Sequence, residues 1–216
     1  MSARLVLPRL YVILDSALLT FPAQDCAREL ADAGVRLMQY RNKAASALEL
    51  LKSCRELAAL LTPRGVSFLV NDRPDVALLA AAIGVHVGQE DLGMEQARAL
   101  VGKDKWVGVS THNLEQFRAA AATSADYIAV GPVFATSSKA NPDPVIGTEF
   151  IRQVRGLTDK PIVAIGGITL ENAAAVIGAG ADSVAVIRDI LRARDPGRRA
   201  RQYLELLDTT NHAAAV

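Results

Sequence analysis

The chain alternates eight times between a short apolar run and a helical pattern, and this alternation restricts the folds open to it. Strands are predicted at residues 10–14, 35–40, 68–70, 85–88, 106–109, 126–130, 161–165 and 182–187. Helices are predicted at 24–33, 47–61, 74–83, 93–101, from 114 onward, and at 148–156, 169–178 and 189–207. Eight such units predict an α/β fold, a single-domain (β/α)8 TIM barrel over about residues 8–208 with a frayed tail. The alternative, an open doubly wound sheet, is disfavoured because no G-x-G-x-x-G follows the first strand.

Composition and charge narrow the range of partners. Half of the residues are hydrophobic and only 5% are aromatic, which suits parallel strands buried on both faces. The net charge of +1 gives no indication of a nucleic-acid or membrane partner, and no apolar run is long enough to span a membrane. Cys26 and Cys54 fall in predicted helices without metal-ligand spacing, so we expect buried thiols in a reducing cytoplasm. The sequence leaves open whether the protein forms a homo-oligomer.

Two strand ends in the stretch 68–91 each carry an aspartate, Asp72 and Asp91. The helix between them is predicted to begin at Pro74 and to stop at Gly84. Parallel neighbouring strands end on one edge of a sheet, so we expect the carboxylates within about ten ångströms of each other. Without a cation one of them would hold a proton, whereas Mg²⁺ would make them half of a site that phosphate oxygens complete. The alternative is that both are helix caps or surface acids.

Further polar side chains follow other strands. Gln39, Arg41 and Lys43 are spaced by two, so they project to one side while the strand persists. An arginine and a lysine beside a glutamine suit an anionic ligand. The alternative is that these residues only form a solvated strand end. Asn71 and Ser110 end the third and fifth strands on the same predicted rim.

The last two strands predict a phosphate-binding cup. Gly166 and Gly167 end the seventh strand, Thr169 begins the helix behind it, and Ile187 and Arg188 end the eighth strand. Backbone N–H groups at these strand ends, together with a helix N-terminus, commonly bind phosphate in such barrels. Glycine lets the backbone approach the phosphate oxygens closely.

A long loop at residues 135–144 is predicted to act as a lid or a binding segment, and it carries Thr136, Ser138 and Lys139. The rim offers no serine–histidine–acid arrangement and no paired general acid and base, so no residue is assigned that role. Two anion sites flanking two carboxylates favour a reaction in which a metal-bound pyrophosphate leaves and a second phosphorylated molecule attacks.

Other polar residues are given no chemical role. His86 is interpreted as a packed, hydrogen-bonded core residue and His112 as loop structure. The arginines of the last predicted helix are interpreted as a solvated face; they are Arg192, Arg194, Arg198, Arg199 and Arg201.

Six motifs at successive strand ends resemble the thiamine-phosphate synthase family over about residues 10–190. They are QYRNK at 39–43, NDR at 71–73, GVHVGQED at 84–91, GVSTH at 108–112, DYIAVGPVF at 126–134 with 136–139, and AIGGI at 164–168. The family joins a hydroxymethylpyrimidine pyrophosphate to a thiazole phosphate and releases pyrophosphate. Its reaction is dissociative and passes through a pyrimidinyl-methyl cation. The resemblance therefore implies a Mg²⁺-dependent transferase of thiamine biosynthesis that acts on small phosphorylated substrates.

The resemblance also implies residue roles. Asp72 and Asp91 would hold Mg²⁺ on the pyrophosphate. The pyrimidine substrate and its pyrophosphate would be bound by Gln39, Arg41, Lys43, Asn71, Ser110 and Lys139. The thiazole phosphate would be bound by Thr136, Ser138, Gly167, Ile187 and Arg188.

Two positions depart from the family pattern. Arg188 stands where the family usually has a small residue, often serine, and Leu14-Asp15 replaces the commoner threonine-aspartate. Two other functions are weighed against the synthase. One is a thiazole tautomerase with the same fold and cup but without the full metal and pyrophosphate set, and the other is a non-catalytic protein that binds thiamine phosphate.

Overall fold

The computed structural model describes residues 5–136 and 143–209, and in them eight parallel strands close into a barrel. The strands are β1 (Leu10–Asp15), β2 (Leu37–Arg41), β3 (Ser67–Asn71), β4 (Gly84–Val87), β5 (Trp106–Thr111), β6 (Tyr127–Val130), β7 (Ile162–Ile165) and β8 (Ser183–Val186). Each strand pairs with the next in the chain, and β8 closes the ring against β1, where Val12 lies opposite Val186. The predicted (β/α)8 barrel is confirmed, and each strand end lies within about two residues of its predicted position.

Helices surround this barrel. They are α1 (Ala23–Asp32), α2 (Ala47–Leu61), α3 (Pro74–Leu79), α4 (Met94–Val101), α5 (Leu114–Ala121), α6 (Gly147–Arg155), α7 (Leu170–Gly178), α8 (Arg188–Leu191) and α9 (Pro196–Thr209). A 3-10 turn over Thr62–Arg64 follows α2. Within the described ranges, none of these helices is both long enough and apolar enough to cross a membrane.

The single helix predicted for residues 189–207 is wrong. Residues 192–195 form a turn that separates α8 from α9, and Pro196 begins α9. Proline lacks the backbone N–H that a helix interior requires, so it is better placed in a first helical turn than inside one long helix.

Gly84 does not stop α3, contrary to the prediction. That helix ends at Leu79, and Ala81 turns the chain with a left-handed φ of 56°. Gly84 is instead the first residue of β4, where a Cβ atom would lie 2.2 Å from the carbonyl oxygen of Trp106 on the neighbouring strand. The glycine is therefore required by close strand packing.

Alternation along the strands divides the core into two layers. Even-numbered residues of β1, such as Val12 and Leu14, pack outward among the helices. Tyr11 and Ile13 point into the barrel, where they meet Tyr127 and other inward side chains. Cys26 and Cys54 are free and buried in the outer layer, as predicted.

Candidate active site

Residues predicted to bind the pyrimidine substrate and the metal lie at the ends of four strands, β2 to β5, and meet in one pocket at the C-terminal end of the barrel. Leu37 of β2 faces the barrel interior, so Gln39 and Arg41, two and four residues later, continue on that inner face. The predicted residues that line this pocket are Gln39, Arg41, Lys43, Asn71, Asp72, Asp91 and Ser110. Lys139 lies outside the described residues.

Each cationic side chain of the β2 end is paired with a carboxylate. Arg41 donates from Nη1 to Oδ2 of Asp15 at 2.6 Å, and Asp15 is 5% exposed. The other oxygen of Asp15 accepts from the backbone N–H of Ala17 at 3.0 Å, which fixes the carboxylate. Lys43 lies 3.2 Å from Oδ2 of Asp72. The positive charges are thus oriented toward the pocket by acids on the adjacent strands β1 and β3.

Asp72 and Asp91 are brought together as the sequence predicts. Asp72 has a left-handed φ of 62°, a conformation that aspartate tolerates better than most residues, and its N–H extends the β3–β4 pairing to the carbonyl of His86 at 2.8 Å. Asp91 accepts from the backbone N–H of Gly88 at 2.8 Å. Burial, and to a lesser degree the neighbouring Asp91, raise the pKa of Asp72 to about 6, although Lys43 opposes the shift. A cation bound here would relieve the cost of ionising Asp72 beside a second carboxylate.

A buried chain of hydrogen bonds crosses the floor of this pocket. Gln39 donates to the hydroxyl of Tyr11 at 2.5 Å, and that hydroxyl lies 3.2 Å from the hydroxyl of Tyr127. Tyr127 is 2.9 Å from Nδ1 of His86, whose Nε2 is 2.8 Å from Oγ of Ser110. The prediction of a hydrogen-bonded core histidine is confirmed, but His86 also lines the pocket.

Tyr11 and Tyr127 are members of this chain that the sequence did not single out. Both are fully buried, and their burial raises each phenol pKa above its ordinary value. They lie inside apolar strand runs, so only the inward parity shared with Gln39 could have indicated them.

The predicted cup forms a second pocket beside the first, and Ile187 lines both. Thr136, Gly167, Ile187 and Arg188 line this cup, whereas Ser138 lies outside the described residues. In the described ranges 5–136 and 143–209, no protein acceptor is found for the N–H of Gly167, Ile168 or Ile187. These loop donors are the groups available to an anion.

The N-terminus of α7 is occupied by side chains, which corrects part of the cup prediction. Oδ1 of Asn172 accepts from the N–H of Thr169 at 2.9 Å, and Oδ2 of Asp189 accepts from that of Leu170 at 3.2 Å.

The reason that residue 167 must be glycine also differs from the predicted one. A Cβ at Gly167, whose φ is 64°, would lie 2.5 Å from the carbonyl oxygen of Ala135. Glycine there permits the chain to turn against the following loop, before any ligand is considered.

Other predicted features have plain structural positions. Nδ1 of His112 donates to the carbonyl of Gly131 at 2.6 Å, and the residue lies in a loop, as interpreted. Of the arginines interpreted as a solvated face, Arg192, Arg194, Arg198 and Arg201 are exposed. Arg199 is an exception at 24% exposure, because it pairs with Asp189. Among the described residues no group of three or more histidine, cysteine or acidic side chains is gathered for a metal.

A closed parallel barrel that gathers paired acids, cationic side chains and a glycine-lined cup at its strand ends is typical of enzymes that act on small phosphorylated molecules. The family model for thiamine monophosphate synthase matches residues 10–190, and the chain belongs to that family. It is a transferase of thiamine biosynthesis, as the resemblance implied.

Individual relatives agree over nearly the whole chain. A thiamine-phosphate synthase of Koribacter versatilis is 52% identical, across 96% of this chain and 99% of the relative. That of Chloroflexus aurantiacus is 42% identical, with 95% of each chain covered. The solved thiamine phosphate pyrophosphorylase from Pyrococcus furiosus superposes with a TM-score of 0.85 at 33% identity, covering 94% of this chain and 96% of its own.

Proposed function

We propose that this enzyme joins a hydroxymethylpyrimidine pyrophosphate to a thiazole phosphate, giving thiamine phosphate and pyrophosphate. The C–O bond to the pyrophosphate breaks with its electron pair leaving on oxygen, and the lone pair of the thiazole nitrogen forms the new C–N bond. The observation that carries the proposal is the adjacency of the two pockets, which meet at Ile187. One gathers acids and cations, and the other gathers loop N–H donors without a protein acceptor in the part of the chain that the structure describes, which supports the binding of two anionic substrates side by side.

The paired acids fit a divalent cation. Asp72 and Asp91 would hold Mg²⁺, because hard carboxylate oxygens are its preferred protein ligands and substrate phosphates complete its coordination. The raised pKa of Asp72 supports this role, because burial and the neighbouring Asp91 disfavour its charge more than Lys43 favours it. A bound Mg²⁺ would supply charge neutralisation for the leaving pyrophosphate.

The remaining rim residues bind and orient the pyrimidine substrate. Arg41, held by Asp15, and Lys43 present positive charge to the pyrophosphate at the end of β2. Gln39 and Ser110 are fixed at the pocket floor by the buried hydrogen-bonded chain, so they are preorganised to contact the pyrimidine. Asn71, next to Asp72, would add an amide contact, and Lys139 would bring a further cation from the loop.

The cup would hold the thiazole phosphate. Loop N–H groups of Gly167, Ile168 and Ile187 provide donors, and Thr136 and Arg188 line the same pocket; Ser138 is proposed as a further contact. Holding both substrates in one cleft converts a bimolecular reaction into an effectively unimolecular one, and stabilising the leaving group then supplies much of the catalysis. This division of labour requires no general base.

The proposal is tested by mixing the protein with both substrates and Mg²⁺ and following pyrophosphate release. We expect one pyrophosphate per thiamine phosphate, and no reaction when either substrate is omitted. A tautomerase would convert the thiazole phosphate alone, and a non-catalytic binding protein would turn over nothing. Either result would overturn the proposal.

We also place the enzyme in the cytoplasm. The two buried cysteines support this placement because both are free.

A further inference from the structure

A carboxylate stands at the edge of the proposed thiazole-phosphate cup. Asp189, the second residue of α8, lines that pocket together with Gly167 and Arg188. It is 18% exposed, so water screens it only partly. A partly buried carboxylate beside a phosphate opposes phosphate binding unless a cation balances its charge.

Four donors from two other elements, α9 and α7, converge on that carboxylate. Arg199 of α9 donates from Nε to Oδ2 and from Nη2 to Oδ1, each at 3.0 Å. The hydroxyl of Tyr203 donates to Oδ2 at 2.6 Å, and the backbone N–H of Leu170 donates to the same oxygen at 3.2 Å. Asp189 thus links α9 to the first residue of α7, directly behind the cup.

Arg199 is specialised for this contact. It engages both oxygens of Asp189, which is the geometry that makes arginine–carboxylate pairs strong. Asp189 raises the pKa of Arg199, and so the guanidinium stays charged. Glu171 lies 3.7 Å away but is 73% exposed, so it competes weakly.

We infer that Arg199 is a positioning residue for the thiazole phosphate, which it never touches, because it neutralises Asp189 and fixes it against the N-terminus of α7. With Arg199 in place, the cup presents its loop N–H groups without an opposing negative charge. Without Arg199, Tyr203 and Leu170 still hold Oδ2 of Asp189, but its negative charge is left unbalanced beside the cup and opposes the phosphate. This inference rests on the proposed use of the cup for the thiazole phosphate.

A purely structural role of Arg199 would affect both substrates alike, whereas the proposed positioning role affects mainly the thiazole phosphate. Arg199→Ala should raise the KM for the thiazole phosphate roughly tenfold or more, with little change in the KM for the pyrimidine pyrophosphate. Adding Asp189→Asn to Arg199→Ala removes the unbalanced charge, so the double variant should recover most of the lost affinity. Arg201→Ala, an exposed arginine on the same helix, is the matched control and should behave as the unchanged enzyme.

The experiment combines steady-state kinetics with calorimetric titration of the thiazole phosphate into each variant, and melting temperatures are recorded alongside. The inference is supported if Arg199→Ala weakens binding of the thiazole phosphate selectively and the double variant recovers that binding. A double variant as weak as Arg199→Ala, or equal losses for both substrates that follow the melting temperature, would overturn it. Calorimetry distinguishes failure of the inference about Arg199 from failure of the proposed function. If the unchanged enzyme binds the thiazole phosphate but does not turn it over, only the synthase reaction is refuted. Failure to bind it at all refutes both.

Discussion

Gln39 and Ser110 sit at the two ends of one hydrogen-bonded chain that runs through the interior of the barrel. Its three middle members, Tyr11, Tyr127 and His86, are buried and contact one another in sequence. Tyr127 also stacks on the ring of His86, with centroids 5.6 Å apart. Two residues proposed to bind the pyrimidine are therefore oriented by a single network, and a change at its centre should reach both.

We expect Tyr127→Phe to weaken binding of the pyrimidine pyrophosphate more than that of the thiazole phosphate. The substitution keeps the ring but removes one hydrogen-bond partner of the Tyr11 hydroxyl and one of Nδ1 of His86, which interrupts the buried chain. The free energy of unfolding should fall by about 1–3 kcal/mol. Kinetics with each substrate varied, together with denaturant unfolding, measures both effects. Tyr40→Phe, on the outward face of β2, is the control, and equal changes in the two variants would contradict the network role.

Lys139→Ala is expected to lower catalysis while leaving the melting temperature nearly unchanged. The pyrophosphate would lose a cation, and truncating a side chain in a loop, where the sequence predicts Lys139 to lie, costs little stability, within about 0.5 kcal/mol. Activity and melting temperature are compared with those of Lys103→Ala, a change at an exposed loop lysine elsewhere. Parallel losses of activity and stability in Lys139→Ala would argue against this role.

Arg188→Ser restores the residue usual in the family and should change the KM for the thiazole phosphate only modestly, within about fivefold. The reason is that the main phosphate contacts in the cup are proposed to come from the loop N–H groups. Measuring KM at low and high salt checks for a charge contribution, which salt would screen. A large rise in KM that disappears at high salt would show that the guanidinium, not the backbone, dominates binding.

Cys26 and Cys54 should resist thiol reagents in the folded protein at pH 8. Burial raises the pKa of each thiol to about 12, so the reactive thiolate is scarce. Because each thiol titrates at a higher pH in the folded protein, the unfolded chain loses these two protons at a lower pH than the folded protein does. The free energy of unfolding should therefore fall as pH rises above about 8.5. Labelling with a chromogenic disulfide should detect no thiol in the folded protein and two thiols after denaturation. Fast labelling of the folded protein would contradict the burial of the cysteines.

Sequence reasoning reached the barrel and most of its rim because both depend on local patterns. Apolar runs that end in polar clusters locate strand ends, and closure then brings Gln39, Asp72 and Ser110 together. It missed what depends on contacts between distant elements. Tyr127 and Tyr11 read as ordinary strand residues until the register aligns them.

The cup shows the same division. The Gly166-Gly167 pair is visible in the sequence, but its closest contacts are not, since Gly166 packs on Pro132 and Gly167 on Ala135. A side chain at Gly167 would therefore disturb the loop before it met any phosphate, and Gly167→Val would report on folding as much as on binding. The pairing of Asp189 with a residue of the last helix was likewise hidden, because it joins groups ten residues apart across a turn.

The proposed role of Asp72 and Asp91 is to hold the cation that the leaving pyrophosphate requires. Its most direct test is the rate of pyrophosphate release as Mg²⁺ is titrated into the unchanged enzyme and into Asp72→Asn, Asp91→Asn and the exposed control Asp104→Asn. We expect no turnover in excess chelator, recovery on adding Mg²⁺, and a loss of roughly 100-fold or more in kcat for either rim variant, with the control unaffected. Full turnover in chelator, or rim variants as active as the control, would contradict the account.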